Sequence, residues 1–185
     1  MANEDKPHGF RPIRMTNGLP YCGQGESYSV DASNGTAIFV GDVIMAEADG
    51  NVAPATAGSA QVIGVCVGVK VDRSTGATEH PGYLPASTAG TIQVEGGPDV
   101  VFEAQEDSVS SDLALIDVFS GVDHVAGAGS TTTGVSAHEI DSDSTTTSGT
   151  FRVLRLYSAP DNEVGTNARW EVVLTEHTFN AATAV

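Results

Sequence analysis

Eight short segments with strand character recur along the chain, separated by turn signals at Asn34-Gly35, Asp49-Gly50 and Gly96-Gly97. They span residues 27–30, 36–40, 42–46, Val62–Val71, 91–95, 100–103, 151–157 and 169–177. The run Val62–Val71, VIGVCVGVKV, is almost continuously apolar and β-branched, which suits a central strand. Gly64 and Gly68 inside it predict bulges or a close approach of another backbone. In the last segment Trp170, Val172 and Leu174 fall on one face and Glu171, Val173 and Thr175 on the other, a period of two. Only residues 110–119, SSDLALIDVF, admit a helix, with Ser or Asp as N-cap and Leu113, Ile116 and Leu115 as its buried side; a strand fits the same residues. The expectation is a mainly β protein, a compact barrel or sandwich with at most one short helix.

Charge divides the chain. Its formal net charge is -16, and from Ser74 to Phe151 no lysine or arginine occurs among 78 residues that carry twelve Asp and Glu. Nucleic-acid affinity comes largely from cations that release condensed counterions, so nucleic acid is not an expected partner. Residues 1–24 hold Lys6, Arg11 and Arg14 against Glu4 and Asp5, a net of +1 beside -17 for the remainder. Pro7, Pro12 and Pro20 favour extended geometry there, and Phe10, Ile13, Leu19 and Tyr21 are apolar side chains that a solvated tail does not need. This predicts an extended N-terminal arm over 1–24 and a single β domain over 25–185, whose segment 121–150 is a Gly/Ser/Thr-rich loop region. At 185 residues one core is self-sufficient. No apolar run reaches the roughly 18 residues of a membrane span, and MANEDKPHGF has no apolar signal core, so synthesis in a cytosol without export and no membrane partner are expected.

The chain has no GxxxxGK[ST], GxGxxG or GxSxG. Ser136, His138 and Glu139 contain the atoms for acid-base work, yet catalytic groups converge from separate elements and sequence neighbours rarely do. His8, His80, His124, His138 and His177 form no HxH or HxxxH pair. Asp141-Ser142-Asp143 is similar to the first ligands of a calcium loop but lacks the glycine and bidentate Glu at their spacing. Cys66 reads as a small buried hydrophobe, a bridge to Cys22 being the alternative. Glu103, Glu106 and Asp107 read as a wet rim or as acidic contacts between subunits that would pair with cations such as Arg11 or Arg14. No enzyme activity, cofactor or metal is expected.

Several segments, in order, carry a family resemblance. They are Gly9-Phe10-Arg11-Pro12, Asn17-Gly18-Leu19-Pro20-Tyr21, Phe39-Val40-Gly41-Asp42-Val43 leading to Val62-Ile63-Gly64-Val65, and Pro98-Asp99-Val100-Val101-Phe102-Glu103 with Gln105-Glu106-Asp107. Gly129-Ser130-Thr131-Thr132-Thr133-Gly134, Ala159-Pro160-Asp161-Asn162-Glu163 and Trp170-Glu171-Val172-Val173-Leu174 complete the series. Together they resemble the capsid decoration proteins of tailed bacteriophages, also called cement or head-stabilising proteins. The resemblance implies a β body of barrel, sandwich or β-tulip type, often a homotrimer, clipped onto the outer capsid surface of the virion with the major capsid protein as partner. Function would be mechanical. The proline spacing and charge asymmetry make the arm the expected anchor, through Phe10, Arg11, Pro12, Ile13, Arg14, Leu19 and Tyr21. The alternative is a head-fibre, tail or host-surface module whose 121–150 loops touch a glycan.

Overall fold

In the computed structural model, which describes residues 3–23, 25–58, 62–71 and 82–180, the chain is nearly all β. The described strands are β1 (Arg11–Met15), β2 (Glu26–Val30), β3 (Val43–Ala46), β4 (Val52–Pro54), β5 (Val62–Val71), β6 (Gly90–Glu95), β7 (Val100–Gln105), β8 (Gly121–Val122), β9 (His124–Val125), β10 (Glu139–Ile140), β11 (Phe151–Leu156) and β12 (Arg169–Leu174). One five-stranded sheet has the order β1-β7-β12-β11-β8 and a second the order β2-β6-β5-β3-β4, while β9 and β10 form a small ribbon. Every strand pair within these sheets is antiparallel. The two sheets pack as a sandwich, not a closed barrel.

Alternation explains the layers. Phe102 and Ala104 of β7, Trp170 and Val172 of β12 and Phe151 and Val153 of β11 turn inward and meet Val43, Val62 and Val65 of the second sheet. The other face of that second sheet is also covered: Ile44, Cys66, Ile92 and Val94 form a second cluster with Ile38 and Leu84 from the flanking segments. A sheet buried on both faces needs a strand without polar alternation, which is why the Val62–Val71 run occupies its middle, between β6 and β3. Gly64 there has φ 147°, and a Cβ on it would lie 2.3 Å from the Glu95 carbonyl oxygen. The register with β6 shifts between Cys66 and Gly68, as the glycines predict.

Three readings change. Residues 36–40 make single bridges, Ile38 with Leu84 and Val40 with Val135, because the chain turns at Gly41, φ 102°, where a Cβ would crowd the His8 carbonyl at 2.9 Å. Residues 110–119 form no α-helix. Only Leu113 is buried, a single 3-10 turn covers Leu115–Asp117, and Leu115 and Ile116 are exposed. The turn is capped and stops at once: Ala114 before it is extended (φ -120°, ψ 169°) with its N–H on Asp117 at 2.9 Å, Val118 after it leaves the helical region (ψ 129°), and the Leu113 N–H donates to the Glu106 carboxylate at 2.6 Å. Lastly, the N-terminal segment, though extended, lies docked along its own body. Arg11–Met15 is the edge strand of the first sheet, and Phe10 sits in the central core with its ring stacked on Phe151 at 4.4 Å.

Candidate functional site

On the outer face of the first sheet, Arg11, Glu103 and Glu171 stand side by side in register on β1, β7 and β12. Two carboxylates directly opposite each other repel, and both are buried, so each requires cations. Glu171 receives the Nε of Arg14 at 3.1 Å, a second, closer contact from the same guanidinium, and Arg155 at 3.0 Å. Glu103 receives His8 at 3.1 Å and Arg169 at 3.7 Å, and Arg169 is held further by Asp161 at 2.7 Å and by the Tyr157 ring beneath it. The positive N-terminal segment therefore answers acids of its own body. Replacing Arg14 with glutamine is expected to cost about 1.5–3 kcal/mol in urea unfolding, the range for hydrogen bonds to a charged group. Replacing Lys6, whose pair with Glu4 is exposed, is expected to change little.

The expected anchoring residues separate accordingly. Phe10 is internal and Arg14 is committed to Glu171. Pro12 and Ile13 are half-buried at a bulge of the edge strand. Tyr21 packs against the core, its hydroxyl pushed up to about 12 by burial and by Glu95. Arg11 and Leu19 are exposed. Among the acids expected between subunits, Glu103 and Glu106 are enclosed in their own chain, and Asp107 accepts the Ser142 N–H at 3.1 Å and hydroxyl at 2.8 Å. Glu103 and Glu106 do not form a rim because the chain covers β7 and the residue after it on both faces, which a local reading of acids at a strand end does not reveal.

The 121–150 region is ordered and partly internal. The His124 and His138 rings stack at 5.7 Å, and His138 Nδ1 accepts the Val43 N–H at 3.2 Å while Nε2 faces Asp42 at 3.6 Å. Burial, with His124 beside it, pushes His138 down to about 3, and burial pushes Asp42 up to about 6. Ser136 accepts the backbone N–H of His138 at 3.0 Å. Through Nδ1, which takes the Val43 N–H, the imidazole pins the loop to the second sheet, while Nε2 faces Asp42 beyond hydrogen-bond reach. Asp141 accepts the Asp143 N–H, which caps the turn of the calcium-like triplet, and Asp143 accepts the Ser111 hydroxyl, which ties that turn to the segment before Leu113. Among the described residues no group of three or more His, Cys, Asp or Glu is arranged to hold a metal. Both cysteines are free, Cys22 exposed and Cys66 buried. His80 lies outside the described residues.

Two exposed features stand out from this internal chemistry. The first is an apolar turn: Leu115, Ile116 and Phe119 are 65%, 88% and 73% exposed, and Val109 six residues earlier is 75% exposed. Phe119 has φ 75°, an uncommon conformation for a bulky residue, held by its N–H on the Val153 carbonyl at 2.8 Å. The periodicity of 110–119 concealed this turn, since the same leucine and isoleucine spacing fits a buried helix face. The second is a groove of about 590 Å³ between the N-terminal residues and the 128–137 loop, with Arg11, Lys6 and Arg169 on it. Compared with family models, with curated proteins and with solved structures, the chain matches none. Fold and surface define an acidic β-sandwich with two buried carboxylates, Glu103 and Glu171, paired on the outer face of one sheet and an apolar turn presented outward.

Proposed function

We propose that the chain is a structural virion protein, a capsid decoration protein that binds the outer surface of a tailed-phage head as a homotrimer and bridges neighbouring major capsid subunits. The exposed turn Leu115, Ile116 and Phe119 carries the reading. A rigidly held apolar projection is costly in water and is the usual mark of a protein-binding face. Its place on an acidic body supports the same view, because a net charge of -16 keeps crowded copies from adhering to one another except through their specific faces. Binding free energy from each bridge adds to what must be lost before shell subunits separate, and several linked contacts per assembly make weak ones sufficient. The order of resembling segments along the sequence points the same way.

Quantitative mass spectrometry of purified particles, against the major capsid subunit, tests the role. A ratio near one, or a simple fraction set by the shell symmetry, is the expected result. A few copies per particle favours the head-fibre, tail or glycan-binding alternative, and absence overturns both. The docking face is tested by Ile116→Asp combined with Phe119→Ser. The expected variant melts at the wild-type temperature or above and loses attachment at least tenfold; undiminished attachment removes the turn from the interface.

A further inference from the structure

We propose that the groove between the N-terminal segment and the 128–137 loop binds an extended peptide segment through a single carboxylate, received by Arg11. The two walls are built before any ligand arrives. Buried Gln105 accepts the Lys6 N–H at 2.9 Å and donates to the carbonyls of Glu4 at 2.7 Å and Asn167 at 2.8 Å. Asn3 ties the outer end of the same wall to the carbonyls of Glu163 at 2.8 Å and Thr166 at 3.0 Å. In the facing loop, the Ser130 N–H donates to Val135 and the Gly134 N–H to Ser130. A groove held by such bonds requires little ordering on binding.

Its charge selects the ligand. Arg11 lies opposite Glu103 in the sheet register, yet Glu103 is taken by His8 and Arg169. Among the described residues Arg11 therefore makes no ion pair, in a chain where acids outnumber Lys and Arg by 24 to 8. One free guanidinium matches one carboxylate through paired hydrogen bonds. A phosphate needs more uncompensated charge than this, because Lys6 and Arg169 already face Glu4 and Asp161. A sugar is favoured by stacking aromatics, and none of the phenylalanines, tyrosines or the tryptophan lines the groove. The hydroxyls of Ser130 and Thr133 suit main-chain amides, and about 590 Å³ falls within the usual range of ligand sites. The carboxylate can belong to an acidic side chain or to a chain end. This site stands on the groove alone and does not depend on attachment to a shell.

The test is a titration of the isotope-labelled full chain, followed by backbone amide shifts, with three probe peptides. They are acetyl-Gly-Ser-Glu-Ser-Gly-amide, its Gln counterpart, and acetyl-Gly-Ser-Ser-Gly with a free carboxyl end. Saturable shifts at Lys6, Arg11, Ser130, Thr133 and Asn167 are expected with the Glu peptide. Binding about tenfold weaker is expected for the Gln peptide and for the R11Q variant, one charge-assisted contact being worth about 1.4 kcal/mol or more. Binding of the Glu peptide alone assigns a side-chain carboxylate, and binding of the free-ended peptide as well assigns any carboxylate; both support the site. Arg11→Lys, which keeps charge without the planar fork, is expected to fall between. No saturable shift with any probe, or equal binding of the Glu and Gln peptides, or an effect unchanged in R11Q with wild-type melting, overturns the proposal.

Discussion

Replacing Phe10 with alanine is expected to lower the unfolding free energy by about 3–5 kcal/mol, the range for removing a buried phenylalanine. The residue is 1% exposed, stacks on Phe151 at 4.4 Å and 12°, and belongs to the cluster that contains Trp170, Phe102 and Val172. Its N–H also donates to the Gly41 carbonyl at 2.9 Å, so the cavity opens where the N-terminal segment, the 39–42 turn and the first sheet meet. Urea unfolding of Phe10→Ala beside Leu19→Ala measures this. Leu19 is 60% exposed and its loss is expected to change stability by less than about 0.5 kcal/mol. Two equally small changes would restore the N-terminal segment to a detachable arm.

Glu106→Ala is expected to cost about 2–5 kcal/mol, from a void in the core and a buried Leu113 N–H left without its acceptor. Glu106 is fully buried, accepts Leu113 N–H at 2.6 Å and Ala168 N–H at 3.2 Å, and so fastens the segment that leads into the exposed apolar turn. Attachment through that turn is expected to weaken together with stability. Burial pushes the Glu106 carboxyl up to about 7 from 4.5, the backbone hydrogen bonds only partly opposing it. The folded chain thus holds a proton that the unfolded chain releases between these values, and its stability rises as pH falls through that window. Thermal unfolding of wild type and Glu106→Gln at several pH values isolates the effect. The wild type should gain on the variant as pH falls from above 7 to 4.5, and a constant difference would show that the carboxyl titrates alike in both states.

Strand identity was legible where one physical preference dominated. The run Val62–Val71 has no polar alternation and became the strand buried on both faces; Trp170, Val172 and Leu174 share the core face their period of two assigns them. Gly64 and Gly68 announced a close approach and a bulge, since only a missing Cβ makes such residues useful inside an apolar strand. The turn at residues 115–119 was illegible for the opposite reason. Its spacing satisfies a helix, and what stops one lies in the tertiary structure: Val118 leaves the helical region at ψ 129°, and Phe119, with its N–H on the Val153 carbonyl, sits at φ 75°. Strands β8, β9 and β10 contain two residues each, too few to impose a period.

By itself, then, the sequence determined an acidic, mainly β protein, its central strand, the burial of Cys66 and the uneven placement of its few cations. Those are consequences of composition and of local periodicity, which act along the chain. Only the tertiary structure decided what the cations are for. Arg14 meets Glu171 across 157 positions because β1, β7 and β12 lie side by side. The fold brings acids of the body under the N-terminal cations, satisfying charges that burial would otherwise penalise, and leaves Arg11 and the apolar turn at Leu115, Ile116 and Phe119 facing outward.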